Sequence, residues 1–215
     1  MALVLWGAGG HGAVIRDAAL SSGNYTDVLF VDDAAADLPP SERHGAPVIG
    51  TPDILGSLDP SACTILVSVG DNRSRARCFE VARHSLSCAT VIHPSAIFSS
   101  SARIGEGSVV LAGAIVNAGA VIGRNVIINS GAIVEHHSIL GDHVHVGPGA
   151  VLCGASRLDD FVLFGAGAVA CPGAHIGYAA VVGAGAVVPK NAAAHCISAG
   201  VPARVISRAI AYVNN

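Results

Sequence analysis

Charge and aromatic surface are what this chain has least of. Only 13% of its 215 residues are charged and 4% aromatic, with one Met and one Trp. Twelve Lys and Arg against fifteen Asp and Glu leave a net charge of −3, with no basic stripe. A protein that neutralises a phosphate backbone needs such a stripe, which argues against nucleic acid as a partner. Long apolar runs are missing too. Although mean hydropathy is +0.58, glycines, polar residues or charges interrupt each run well short of the ~18 residues of a membrane span. The opening Met-Ala-Leu-Val-Leu-Trp-Gly lacks the basic start and long apolar stretch of a secretory signal. Six cysteines, at 63, 78, 88, 153, 171 and 196, form no Cys-x-x-Cys pair and read as buried thiols of a reducing compartment. One or two small domains with a real core, not membrane-bound and cytoplasmic, are expected.

Residues 1–90 alternate strand-like and helix-like patterns. Leu3–Trp6 runs into Gly7-Ala8-Gly9-Gly10-His11-Gly12, followed by helical spacing at Val14, Ile15, Ala18 and Ala19. Val28–Val31 is a second strand ending at Asp32-Asp33. Residues 34–60, rich in Pro, Asp and Ser, read as a surface excursion around a short Pro47–Gly50 strand. Thr64–Val69 is a third strand, leading through Gly70-Asp71-Asn72-Arg73 into a helix that reaches about residue 84. Such alternation predicts an α/β layer with a parallel sheet. The glycine loop fits G-x-G-x-x-G between strand and helix, with acids about 20 residues on. Its backbone N–H groups and helix N-terminus suit a diphosphate. Ninety residues are too few for two mononucleotide halves, so a half-Rossmann fold that does not take NAD is expected. Asp32 or Asp33 would face a ribose or base. The plain alternative is a tight turn whose glycines only allow close packing.

From Val91 the period becomes six. Seventeen hexads, VIHPSA to VVPKNA, run without insertion to Ala192. The second position is apolar in all seventeen, and the sixth is Ala in eleven, Ser in three and Val in three. An α-helix loses phase with a period of six within two turns. An aliphatic and a small residue at fixed offsets instead predict a parallel β-helix of eighteen-residue coils, the aliphatic filling the prism and the small residue its corner. First positions such as Val109, Ile115, Val121, Ile127, Ile133 and Ile139 should then point outward. Only nine charged residues fall in 91–192, so this outer surface needs a cover, and a homotrimer of three-sided prisms supplies one. Residues 193–215 read as a loop, Ser198 to Arg204, and a short helical tail.

Chemistry concentrates at Glu135-His136-His137, Asp142-His143 and His145. The residues stacked on His136, eighteen positions away, are Ala118 and Gly154, which leaves the ring beside an open groove. An imidazole there suits general-base work near neutral pH. His145 interrupts the column Val109, Ile127, Leu163 and Val181, where a polar ring needs a partner. Solvated or interface histidines are the plain alternative. Four histidines within ten residues also match the zinc-binding habit of γ-type carbonic anhydrases, a different class of enzyme.

With the glycine loop, the hexads, Glu135-His136 and Gly200-Val201-Pro202-Ala203-Arg204 assembled, the chain resembles end to end the hexapeptide-repeat acetyltransferases of nucleotide-linked amino sugars in bacterial polysaccharide or glycan synthesis. It looks most like the N-acetyltransferases of 4-amino sugars of GDP-perosamine type. Sialic-acid O-acetyltransferases share the layout and give the rival reading. The resemblance implies a nucleotide-sugar-binding domain at 1–90, a left-handed β-helix for acetyl-CoA and catalysis at 91–192, and a C-terminal loop and tail at 193–215. Acetyl-CoA is the co-substrate, shared between subunits of a trimer, with no metal and no NAD. By position, His136 matches the catalytic histidine after its usual acid, Glu135, and Gly154 the glycine whose N–H meets the acetyl carbonyl. His145 matches a second histidine beside the thioester, and Asn129 an asparagine of the sugar pocket. Gly9, Gly10, His11 and Gly12 match the diphosphate loop, with Asp32, Asp33, Asn72 and Arg73 around the nucleoside. Ala166 and Ala184 suit backbone bonds to pantetheine, and Lys190 and Arg204 the CoA phosphates. His137 is the departure, because relatives often carry a carboxylate there. A carboxylate raises the base's pKa and fixes its tautomer, and His137 is expected to do both less well.

Overall fold

The computed structural model describes residues 1–35 and 42–208 and divides into two units, Met1–Pro94 and Ser95–Asn215. Parts of the surface excursion (36–41) and of the tail (209–215) lie outside the described residues.

In the first unit, β1 (Ala2–Trp6), β2 (Val28–Val31) and β5 (Cys63–Val67) form a parallel sheet in the order β2-β1-β5. Leu3, Val4, Leu5 and Trp6 are all buried, as a central strand covered on both faces requires. Val4, Trp6, Val31, Ile65 and Val67 pack with Leu55, Phe79, Ala82 and Leu86. Helix α1 (Gly10–Ser21) buries Gly12, Ile15, Ala18 and Ala19, a single stripe. Helix α2 (Asn72–Ser85) is capped by Asp71, whose side chain accepts the Ser74 N–H at 2.8 Å. The short strand of the excursion is smaller than its sequence suggests. Strands β3 (Glu42–Arg43) and β4 (Ala46–Pro47) form a two-residue hairpin, with a single further bridge from Val48 to Phe30. Pro47 has no N–H to extend the ladder. With β1 central, the loops after β1 and β5 lie side by side at the point where strand order reverses, the usual crevice for a ligand.

The second unit is a left-handed parallel β-helix of about six turns. Each hexad gives one two-residue strand. The first face stacks Ile97–Phe98 through Val187–Val188 and the second Arg103–Ile104 through Asn191–Ala192. The third stacks Val109–Val110 through Val181–Val182, then Cys196–Ala199. Strands pair eighteen residues apart, as in Ile115 with Ile133 and His145 with Leu163. Second positions from Val110 to Val188 fill the prism, each burial contributing roughly 1.5–3 kcal/mol for a large aliphatic. Phe164 stacks between Val146 and Val182, all three buried. The fifth position of a corner turns left-handed. It is commonly glycine, as at Gly119 (φ +70°), but Asn125, His137, His143, Ala155, Phe161 and Ala179 adopt it too.

Outward positions differ in exposure. Val121 and Ile139 are exposed, Ile115 and Ile133 half-buried, and Val109 and Ile127 buried, contrary to uniform exposure. The last hexad also departs from the register. His175 pairs with Asn191 and Val181 with Ile197, sixteen apart, because Pro189-Lys190 makes a shorter corner. As far as Arg208, the tail is a strand and not a helix. Arg204–Arg208 pairs antiparallel with Cys196–Ala199, and β-branched Val205 and Ile206 favour that pairing. No helix among the described residues is long and apolar enough to cross a membrane.

Candidate active site

The glycine loop is held from several sides. A Cβ at Gly12 would collide with the Gly7 carbonyl oxygen, and Gly7 itself sits at φ +117°. Gly9 caps α1 without a side chain, so backbone N–H groups at Gly9 and Gly10 open to the surface. Asp32 Oδ2 accepts the Ala8 N–H at 2.7 Å, and Asp33 Oδ2 accepts the Trp6 indole N–H at 3.1 Å. The two acids therefore shape the loop as well as border it. Ser68 donates to the Gly7 carbonyl at 2.7 Å, and His44 Nε2 lies 3.1 Å from the Ala8 carbonyl oxygen. Neither residue was singled out by sequence, because no motif marks a hydroxyl at a strand end or a histidine in a hairpin turn. Arg75, also missed, is 1% exposed and donates to the carbonyls of Val69 and Gly70 and to Asn72 Oδ1 at 2.8 Å. Burial pushes its guanidinium down to about 9, against the pull of Asp71. Asn72 is thus buried and tied to Arg75, whereas Arg73 is half-buried. His11 is pushed down to about 4 by burial and, second, by the Arg75 charge.

In the β-helix, Glu135, His136 and His137 lie at the corner between the first and second faces. His136 is exposed and packs against Gly154 one coil on, where a Cβ would stand 2.6 Å from Cε1 and Nε2. Glu135 Oε2 accepts the His136 N–H at 3.3 Å, and the two Nδ1 atoms of His136 and His137 are 3.1 Å apart. Lys190 lies on the same corner of the last coil, but the shortened turn there puts it in the column of Ala174, whose place it takes in accepting a backbone N–H, here that of His175 at 2.7 Å, and not in the column of His136.

The other histidines of the cluster do not join this corner. His143, 7% exposed, sits at the next corner, its Nδ1 2.8 Å from Asn125 Nδ2 and its ring 4.7 Å from that of Phe161. Beside it Arg124 donates to Asp142 at 3.0 and 2.7 Å. Burial works to raise the Asp142 carboxyl, but these bonds hold it below the usual carboxylate range. His145 is on the third face, across the prism from His136, and its Nε2 lies 3.1 Å from Asn129 Nδ2. Ala166 and Ala184 are exposed on the corner between the third and first faces, the corner that also carries Asn129. Arg204 is exposed on the final strand. Among the described residues, no group of three or more His, Cys, Asp or Glu side chains gathers to hold a metal ion.

Comparison with known proteins follows this division. The PglD N-terminal domain family model matches residues 2–82, and the bacterial transferase hexapeptide model, of six repeats, matches 119–154. The acetyltransferase domain of PglB from Neisseria gonorrhoeae, solved with acetyl coenzyme A, is 39% identical over 95% of this chain and 98% of its own, with TM-score 0.90. PerB from Caulobacter crescentus, solved with CoA and GDP-perosamine, is 36% identical over 95% of this chain and 97% of its own, with TM-score 0.88. WeeI from Acinetobacter baumannii, 22% identical over 96% of this chain and 100% of its own with TM-score 0.81, shares the fold. A search of curated protein sequences gave no match. Fold and corner geometry define an acyltransferase of the left-handed β-helix class. The chain belongs to the hexapeptide-repeat sugar acetyltransferases that carry a PglD-type N-terminal domain.

Proposed function

We propose that the protein transfers the acetyl group of acetyl-CoA to the amino group of a nucleotide-linked amino sugar, at C4 in a sugar of the GDP-perosamine type. The observation that carries this reading is the whole-length likeness to PerB, which was solved with CoA and GDP-perosamine, together with an exposed histidine against a bare glycine at one β-helix corner. Residues 1–90 hold the nucleotide sugar by the glycine loop and residues 91–192 hold acetyl-CoA and the catalytic corner, while in the C-terminal segment 193–215 the strand Cys196–Ala199 continues the third face. The amine nitrogen attacks the thioester carbonyl carbon, the N–C bond forms, and the C–S bond breaks to release CoA as the thiolate. His136 accepts the proton the nitrogen loses and passes it on to the departing sulfur, giving the thiol, and the Gly154 N–H meets the developing oxyanion. An unprotonated amine is a good nucleophile toward a thioester, so holding the two reactants together supplies much of the rate.

The catalytic and acetyl-CoA residues divide between two corners of one prism. Catalytic His136, Gly154 and Lys190 share one, while Ala166 and Ala184 share another with Asn129 of the sugar pocket, and His145 lies across the coil from His136. One subunit alone does not present both sets to one ligand. A homotrimer in which the first corner of one copy meets the second set on its neighbour does so, and it also covers the outward aliphatics. The six free thiols suit action in the reducing cytoplasm.

The test is a panel of GDP-, UDP- and dTDP-linked amino sugars with acetyl-CoA, following thiol release. Turnover with a 4-amino acceptor is expected. Turnover with hydroxyl acceptors alone would replace this reading with O-acetylation of a sialic-acid-type sugar.

A further inference from the structure

The rings of His136 and His137 lean opposite ways along the stack. His136 lies against Gly154 one coil on, and His137 against Gly119 one coil back, where a Cβ would stand 3.1 Å from Cδ2. Their Nδ1 atoms nevertheless meet at 3.1 Å, the ring centroids 5.3 Å apart and the planes at 80°. Two imidazole nitrogens at that separation share one proton. If it belongs to His136, the Nε2 of that ring is bare beside Gly154. If it belongs to His137, the Nε2 of His136 carries a proton and accepts nothing. We infer that His137 is a positioning residue that accepts the Nδ1–H of His136 and so keeps Nε2 as the proton-accepting atom. The inference rests on the reading of His136 as the base.

The backbone is arranged for this. His137 stands at φ +57° in a column shared with Gly119 (+70°), Ala155 (+57°) and Gly173 (+69°). This turn is common to the fifth position of the corners and fixes the direction in which the His137 side chain leaves the coil. The His137 N–H donates to the Ala118 carbonyl at 3.0 Å, and the Ala155 N–H donates to the His136 carbonyl at 2.9 Å, so both residues are fixed between coils. Bare Gly119 leaves the space in which the His137 ring lies. Two titratable groups face the pair. Glu135 on the same turn accepts the His136 N–H, and Cys153 is on the adjacent coil, its thiol pushed up by burial and by Cys171 and Glu135. The preceding coil offers Asn117, Ala118 and Gly119, none of which titrates.

A proton arriving at His136 Nε2 leaves the Nδ1–H bond to neutral His137 intact. The tautomer-holding role of a carboxylate is thereby filled by a neutral ring.

Two variants test the inference. His137→Gly removes the acceptor while relieving the left-handed strain, so folding is preserved. His137→Asn restores an acceptor, because Asn Oδ1 stands where Nδ1 stood and Asn tolerates this conformation. The Gly variant is expected to melt no lower than the parent and to lose roughly tenfold in kcat, below the full range for a general base. Its acetyl-CoA KM should be unchanged. The Asn variant is expected to recover kcat to within about threefold of the parent. Independently of turnover, nitrogen-15 NMR of the histidines should report His136 as the Nδ1–H tautomer in the parent and Asn variant and as Nε2–H in the Gly variant. A Gly variant with parental kcat and parental His136 tautomer overturns the inference. If the parent acetylates no amino sugar, the kinetic arms fall with the proposed function and the NMR arm alone decides.

Discussion

Gly154 and His136 occupy one spot on the β-helix. A Cβ built on the glycine would stand 2.6 Å from both Cε1 and Nε2 of the ring, so the imidazole rests where any other residue would have a side chain. In the proposed reaction the same missing atom would leave the Gly154 backbone open to a thioester carbonyl. One absent methyl group would then serve the position of the base and access to the oxyanion donor together.

Gly154→Ala should therefore separate activity from stability. The backbone at 154 is not left-handed, and the group in the way is the end of an exposed ring that can swing aside. Stability should change by less than about 1 kcal/mol, typical of a surface change. The ring displaced from its seat should cost kcat roughly tenfold or more, a general-base-sized loss. A thermal melt and steady-state kinetics on the same sample check this, and parental kcat would separate base position from Gly154.

Most of the fold was legible because a period of six assigns every residue to a face or corner by arithmetic. Ile115 opposite Ile133 and His145 in the column of Ile127 and Leu163 follow from counting alone. The same counting disperses His136, His143 and His145 around the prism, although nearness in the sequence suggested one cluster. What counting cannot supply is the rotamer. The Asn129–His145 contact spans sixteen residues, off the eighteen-residue stack, and depends on where two side chains turn. The shortened corner at Pro189-Lys190 and the strand at Arg204–Arg208 escaped notice because both lie where the repeat ends. Asp32 was read as a ligand group, yet its carboxylate also accepts from Ala8, a bond no fingerprint encodes.

Acid should loosen the first unit through His11. Its native imidazole is pushed down from 6.5 to about 4 by burial and by Arg75. The unfolded chain binds this proton as pH falls through 6.5 and the native chain only near 4, so stability is lost over that window. The full loss is on the order of 3 kcal/mol. Asp71, Asp142 and Asp159, each held below its ordinary value of 3.8, act only at lower pH. Urea midpoints should fall from pH 7 to pH 4.5 in the parent and fall less in His11→Gln. Equal slopes would mean that His11 is solvated in the native state.

A shared site predicts complementation. Neither His136→Ala nor the double variant Asn129→Ala/His145→Ala should be active alone beyond a small residue. Mixed after reversible dissociation, they should form trimers in which some sites draw an intact His136 from one copy and an intact Asn129 and His145 from its neighbour. Random mixing gives roughly a quarter of the parental sites. Light scattering should report three copies per particle, and a mixture no more active than its components would place each site within one chain.

His136→Ala bears on the size of the base's contribution. An obligatory base accounts for roughly 10²–10⁴ in kcat, whereas a group that only orients a reactive amine accounts for about tenfold. The amine argues for the smaller value, since its deprotonated form attacks a thioester unaided. The geometry argues for the larger. The stacked neighbours Ala118 and Gly154 offer no basic side chain, and Glu135 is engaged with the His136 N–H. His137, whose ring leans toward Gly119, is turned away from the Gly154 side and is poorly placed to substitute. A loss of roughly 10²-fold is expected, at the low end of the general-base range. Raising the pH should restore part of it by supplying free amine, while the acetyl-CoA KM stays unchanged because the ring contacts the reacting centre and not the pantetheine corner. An unchanged kcat across pH 6 to 9 would move the catalytic centre away from this corner, and the corner shared by Asn129, Ala166 and Ala184 would be the next to test.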